Sequence, residues 1–270
     1  MAPTPRRSLR PTLLLSALLL TGTGTVAAHA VEAPSEGSYA ALGDSYSSGL
    51  GAGDYRAGES CGRSSHSYPE LWAAAHPARR FAFTACSGAT TQDVMKNQLG
   101  PLDKGTRLVS ITAGANDAGF ADVMSACVLG SDSTCQSKVA AARDYVVNEL
   151  PPALDATYGA IREKAPKALV VVLGYPRLFT PHGTCARGMS QAKQNTLNDA
   201  VDVINRVMSE RATNHGFTFG DVTKRFTGHG ICSASSWIHS VTFPVNESYH
   251  PTANGQEQGY LPEFTRFARL

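Results

Sequence analysis

Four short stretches of this chain carry residue types that together serve acyl transfer. In the first, Gly43-Asp44-Ser45-Tyr46-Ser47, an apolar run that begins at Tyr39 breaks into glycine, an acid and a hydroxyl. A serine hydroxyl is a poor nucleophile at neutral pH, so it needs a base within hydrogen-bonding reach and rigid donors for the oxyanion that develops on the attacked carbonyl. The histidines beyond residue 30 are His66, His76, His182, His215, His229, His239 and His250. His250 stands apart because Pro251 follows it, and the residue before a proline is held extended, which fixes the direction from which the imidazole projects. The other six have no context that favours catalysis. Gly88, in Cys86-Ser87-Gly88-Ala89, has no side chain to keep its backbone N–H from a substrate. Asn116, in Gly114-Ala115-Asn116-Asp117, follows a glycine and offers a side-chain NH₂. Each has a plainer reading on its own: a strand-exit serine, a structural His-Pro, a turn glycine, an Asx turn. As a set they specify a nucleophile, a base and oxyanion donors.

These groups need elements that deliver them to one place. Short apolar runs predict strands over 38–42, 81–84, 108–113, 168–173 and 217–219. The first three end in small or polar residues, where open parallel sheets place their sites. Helices are expected around 70–75, with Pro69 in the first turn and Leu71 and Trp72 inward; after a Thr91 cap, through Val94 and Met95; over 136–164, broken at Pro151-Pro152; and from Ser190, where Leu197, Val201, Ile204 and Met208 recur at helical spacing. A closing helix starts near Thr252 or Asn254. The alternation predicts a single α/β domain with a parallel sheet between helical layers, and right-handed crossovers put the strand ends along one edge. Asp44 and Asp117 read as loop-bracing acceptors. Gly49 to Gly53 lacks the lysine of a phosphate loop and reads as a flexible rim. Phe120, Val123, Met124, Leu178 and Phe179 lie close to the site in sequence, as an acyl groove or as core.

Arg6, Arg7 and Arg10 precede an apolar run over 13–20, and Ala28-His29-Ala30 offers a small-x-small cleavage site, so residues 1–30 read as a secretory signal peptide, 31–38 as an exposed lead-in and 39–270 as the folded domain. The apolar run is short of the ~20 residues that span a bilayer. Losing the three arginines takes the 24 basic residues to 21 against 22 acidic ones, which leaves no basic surplus for a nucleic acid partner. Cys61, Cys86, Cys127, Cys135, Cys185 and Cys232 all follow the leader, an even set that fits three disulfides in an exported protein. Sequence leaves their connectivity open; neighbour pairing is the simplest arrangement. No Cys-x-x-Cys supports zinc instead.

The four stretches, in this order and spacing, resemble the marker blocks of the SGNH (GDSL-type) hydrolases, and the leader, cysteine pattern and length resemble their secreted Streptomyces-type lipase, esterase and phospholipase branch. The resemblance implies a flavodoxin-like three-layer α/β/α domain. It implies Ser45 as nucleophile, His250 as general base and acid, and an oxyanion hole of the Ser45 and Gly88 N–H groups with the Asn116 side chain. It implies no metal or organic cofactor, and the neighbour pairing of cysteines. Many members carry aspartate three residues before the histidine; here that residue is Glu247. The imidazole is therefore oriented by the Glu247 carboxylate or by the backbone carbonyl of Glu247 or Ser248, with a carbonyl favoured. The implied activity is hydrolysis of fatty-acyl esters of lipids by a secreted monomer in transient contact with a lipid interface. Phospholipase A-type hydrolysis, a carbohydrate acetylesterase and a non-catalytic binding module stand as alternatives.

Overall fold

The computed structural model describes residues 1–3, 35–58, 60–76, 78–183, 185 and 188–269. The expected leader run over 13–20, the cleavage after Ala30 and the start of the lead-in lie outside the described residues. Within residues 33–270, a unit by themselves, β1 (Ser35–Gly43), β2 (Ala78–Phe83), β3 (Thr106–Thr112), β4 (Leu169–Leu173) and β5 (Thr218–Gly220) form one sheet. Every neighbouring pair is parallel, in the order β2-β1-β3-β4-β5. Strands covered on both faces carry continuous apolar runs, and the Leu-Val-Val-Val-Leu of β4 is the plainest case. β1 starts earlier than the apolar run, so the end of the expected lead-in is strand, paired at Ser35 with Ala78.

Parallel neighbours need crossover connections, and helices supply them. α1 (Ser45–Ser48) and α2 (Tyr68–Ala75) link β1 to β2, and α3 (Thr91–Asp93), widening into a π-turn at Val94–Gln98, links β2 to β3. α4 (Phe120–Leu129), α5 (Asp132–Asn148) and α6 (Leu150–Lys164) precede β4, α7 (Gln191–Asn214) precedes β5, and a second π-turn at Gly255–Tyr260 runs into α8 (Leu261–Phe267). α2 packs on α8 and α6 on α7, which gives two helical layers about the sheet. Tyr39 of β1 meets Trp72 edge-on at 5.3 Å and Phe264 of α8 at 5.5 Å, so the first layer closes on an aromatic cluster. Leu154, Ile161, Ile204 and Met208 are buried from the other.

The chain runs from β1 outward to β2 and then back over β1 to β3. That reversal leaves a crevice at the carboxyl ends of β1 and β3, the place where open α/β sheets hold ligands. Two helix boundaries differ from expectation. Thr90, not Thr91, caps α3 through a reciprocal pair with Asp93, because the Thr91 hydroxyl and N–H are both donated to Asp117. The long helical stretch breaks at Glu149, and Pro151-Pro152 sit inside the first turn of α6, where no intrahelical N–H bond is lost. Disulfides join Cys61 to Cys86, Cys127 to Cys135 and Cys185 to Cys232. Among the described residues no helix is long and apolar enough to cross a membrane.

Candidate active site

Ser45 is the first residue of α1, a single helical turn at the carboxyl end of β1. The turn forms because both its ends are capped: the Asp44 side chain accepts from the Tyr46 N–H at 3.0 Å, and Gly49 closes it at φ 84°. Gly43 has φ 116°, and a Cβ there would lie 2.2 Å from the Thr112 carbonyl oxygen, so only glycine lets β1 pass β3 at this point. The buried Gln98 amide holds Gly43 from both sides, accepting from its N–H at 2.7 Å and donating to its carbonyl at 2.9 Å. Asp44 turns away from Ser45 into the core, where it also accepts from Thr112 Oγ1 at 2.6 Å and from the Tyr175 hydroxyl. Burial pushes its carboxyl up to about 6, and these donors only partly offset that.

His250 Nε2 lies 2.8 Å from Ser45 Oγ, and its Nδ1 lies 3.0 Å from the Ser248 carbonyl oxygen. A carbonyl only accepts, so Nδ1 carries the ring proton and the Nε2 lone pair faces the serine. The Glu247 carboxylate is engaged elsewhere: it accepts from the Tyr55 hydroxyl at 2.8 Å, and that hydroxyl accepts from the Gly51 N–H at 2.8 Å. The short 3₁₀ turn Val245–Glu247 and the left-handed Tyr249, φ 66°, bend the chain so that the Ser248 carbonyl, not the acid, reaches the ring. Burial brings the His250 imidazole down to about 4, with the Ser248 carbonyl opposing and neighbouring His239 adding to the fall. Glu247→Gln keeps an acceptor for Tyr55 and leaves the Ser248 contact in place. Its kcat is expected within about threefold of the parent, against the ~10⁴-fold loss known where an acid that orients a catalytic histidine is neutralised; steady-state ester kinetics check this.

A left-handed tyrosine costs on the order of 1–3 kcal/mol, and here it is held by its surroundings. Its N–H donates to the His239 carbonyl at 3.0 Å, and its carbonyl accepts from the Tyr46 hydroxyl at 2.7 Å. The neighbour of the serine thus fixes the neighbour of the histidine. His239 accepts no such place by chance of sequence: its N–H donates to the His250 carbonyl at 2.9 Å, and its Nε2 donates to the Gly51 carbonyl at 2.8 Å. The Gly49–Gly53 stretch is therefore not the free rim that its glycines imply. A Cβ on Gly51 would come within 3.0 Å of His250 Cβ, so glycine is needed there to let the loop back the histidine.

Ser45, Gly88, Asn116 and His250 line one cavity of about 470 Å³. The Ser45 N–H, first in its helical turn, has no intrahelical acceptor. Gly88 sits at φ 80° with open space where a Cβ would project. The Cys61–Cys86 bridge and a bond from the Ser87 N–H to the Cys61 carbonyl at 2.9 Å hold that loop. Asn116 Nδ2 donates one hydrogen to the Ala89 carbonyl at 3.0 Å and has a second to spend. Asp117 braces Thr91, as expected. Phe120 and Met124 line the cavity with Leu50, Val128, Val241 and Val245. Val123 and Leu178 do not: they face a separate apolar pocket of about 80 Å³ beside Tyr46 and Tyr175, and Phe179 is buried with its N–H donated to Asn198.

The model of the GDSL-like Lipase/Acylhydrolase family matches residues 41–258. The chain belongs to this family. It is 54% identical over 254 residues to lipase 1 of Streptomyces coelicolor, covering 92% of this chain and 94% of that one. An extracellular lipase of Streptomyces rimosus, 55% identical, superposes with a TM-score of 0.84 over 86% of this chain and 100% of that one. Phospholipase A1 of Streptomyces albidoflavus, 52% identical, gives 0.84 over 86% and 99%. This lipase/acylhydrolase is thus a secreted carboxylic ester hydrolase, and its substrate is an acyl ester.

Sequence reasoning about the acylhydrolase missed its supporting groups: Tyr46, Gln98, Thr112, Tyr175, His239 and Tyr249. None has a local signal. Tyr46 and Tyr249 meet across a separation of 203 residues, and Asp44 and Tyr175 across 131.

Proposed function

We propose that Ser45 is the nucleophile and His250 the general base of a hydrolase acting on fatty-acyl esters of lipids. What carries the reading is the Nε2–Oγ contact of 2.8 Å, with Nδ1 occupied by the Ser248 carbonyl. As Oγ adds to the acyl carbonyl, its proton passes to Nε2, and the N–H groups of Ser45 and Gly88 and the Asn116 amide take the oxyanion. The imidazolium returns that proton to the departing alkoxide as the ester C–O bond breaks. The same histidine then deprotonates water, which attacks the acyl-enzyme, and it returns that proton to Ser45 Oγ as the acyl–Oγ bond breaks and the acid leaves. The Ser248 carbonyl keeps the ring in one tautomer throughout. The nucleophile, base and oxyanion donors are complete within one chain, so a monomer is sufficient for this chemistry.

The apolar cavity beside Ser45 favours a long acyl chain, and the lipase names of two relatives point the same way. A phospholipase A-type reading rests on the Streptomyces albidoflavus relative. Rates on acetyl, octanoyl and palmitoyl esters and on a phosphatidylcholine separate these; dominant acetyl-ester activity with long chains untouched would sink the lipid reading. An organophosphonate should label Ser45 with one adduct per chain, read by peptide mass. An unlabelled serine would revive a binding module.

His250 must be neutral to act as base. Because burial lowers it to about 4, kcat/KM for a soluble ester is expected to hold from neutral pH down through 6 and to fall by half only near 4. An acid limb centred at 6.5, the value of a free imidazole, contradicts a buried base. The same shift acts on stability. The unfolded chain takes up its proton near 6.5, so the contribution of neutral His250 is complete above that pH and is lost as pH falls towards 4.

A further inference from the structure

Large apolar side chains exposed among the described residues of the folded unit are few, and they are not scattered. They are Val128, Leu129, Val147, Val241, Phe243 and Val245; Val128, Leu129, Val241 and Val245 line the Ser45 cavity, and Phe243 belongs to the same short segment as the last two. Val128 and Leu129, at the end of α4, stand on one side, and Val241 and Val245 on the other; these four line the cavity itself. Phe243 lies between Val241 and Val245 in sequence without lining it. Leu129 and Phe243 are each 85% exposed. Isolated apolar residues on a surface need no explanation, but a cluster around the entrance to a site does.

We propose that this rim docks the enzyme on the surface of a phospholipid aggregate through apolar contact, whatever the headgroup charge, so that an acyl chain passes from the aggregate into the cavity without crossing water. The inference rests on the acyl-lipid reading above and adds the surface that meets the substrate. Two observations commit it to lipid. The rim is continuous with the cavity that holds Ser45 and His250. The segments that form it are also uncharged: neither residues 124–131 nor residues 240–246 include a lysine, arginine, aspartate or glutamate, and Lys193, whose ammonium donates to the Gly130 carbonyl at 2.7 Å, is paired with Asp132. Anionic membranes are recognised through clustered basic residues, so a neutral apolar rim selects aggregates without regard to headgroup charge. The backbone supports the rim from beneath, because Ser248 Oγ accepts from the Thr242 N–H at 3.0 Å and Cys127 is bridged to Cys135.

The test is flotation of the full-length mature chain carrying Ser45→Ala with phosphatidylcholine vesicles, alone and with part of the phosphatidylcholine replaced by phosphatidylserine. Binding is expected to both, unchanged by 0.5 M salt. Adding Leu129→Glu and Phe243→Glu is expected to weaken it about 100-fold, since two apolar anchors are replaced by charges. Val147→Glu, on α5 away from the rim, leaves it unchanged. In the Ser45 enzyme, Phe243→Glu alone is expected to keep turnover of a soluble acetyl ester within twofold and to lower turnover of dispersed phosphatidylcholine at least tenfold. Equal losses on both substrates would show that Phe243 acts at the site and overturn docking, as would undiminished vesicle binding by the doubly charged variant. A concentration-dependent dimer dissolved by Leu129→Glu, with no vesicle binding by the Ser45→Ala chain, would assign the rim to a second copy. Failure to bind vesicles sinks the docking surface alone; ester hydrolysis by Ser45→Ala sinks the nucleophile, whatever the vesicles show.

Discussion

Ser45→Ala is expected to lower kcat/KM on an ester about 10⁴- to 10⁶-fold, His250→Ala about as far, and the double variant scarcely further. The two side chains perform one act. Oγ is nucleophilic only while Nε2, 2.8 Å away, accepts its proton, and Nε2 has nothing to accept once Oγ is gone. Either loss leaves the same remainder: the cavity and the oxyanion donors acting on a bound ester and water. The effect is specific to chemistry, because neither change disturbs what holds the loops. Tyr46 keeps its bond to the Tyr249 carbonyl and His239 its bonds to His250 and Gly51, all but the ring itself being backbone or remote side chain. Melting temperatures should therefore move by only a few degrees. Steady-state kinetics on all three variants check the prediction; losses that multiply would mean that the two groups work independently.

How much of this was open to a reader of the sequence follows from where each group sits. The apolar runs of β1, β3 and β4 announce themselves, because a parallel strand is buried on both faces and has no polar residue to spare. Ser45, Gly88 and Asn116 were legible for a related reason: each falls within a few residues of a strand end, where the pattern breaks. His250 was legible through Pro251. What orients it was not. A backbone carbonyl has no residue type, so nothing in Ser248 marks it, whereas Glu247 has a carboxylate at a suggestive position and proves to hold Tyr55. The glycine run misled in the same way. Glycines at 49, 51 and 53 read as freedom, yet Gly51 is glycine because His250 and Pro251 crowd it. The apolar residues after Asn116 divided by helical phase: on α4 Met124 lines the Ser45 cavity, Val123 lines the other pocket, and Phe120 reaches both. The exposed rim was invisible for want of any pattern linking residues 128–129 to 241–245.

The oxyanion donors carry the second large effect. Asn116→Ala is expected to reduce kcat by about 10²- to 10³-fold with KM changed less than about threefold. Charge appears on the acyl oxygen only on the way to the tetrahedral intermediate, so a donor aimed there stabilises the transition state and not the bound ester. Asn116 suits that role because its amide is already fixed. One Nδ2 hydrogen is donated to the Ala89 carbonyl at 3.0 Å, which sets the plane of the group and leaves the second hydrogen for the cavity. Asn116→Asp keeps the shape while removing both donors and adding a negative charge beside the oxyanion, so it should lose more than alanine does. A residue that merely fills space would show the opposite order. Gly88→Ala separates the remaining contribution: its N–H survives, and space is open for the methyl, but φ 80° costs an alanine roughly 1–2 kcal/mol and tends to rotate the peptide that bears the donor. Its loss in kcat should therefore lie between that of the parent and that of Asn116→Ala. A kcat for Asn116→Ala within threefold of the parent would remove the side chain from the oxyanion hole and leave only the two backbone N–H groups to hold the charge.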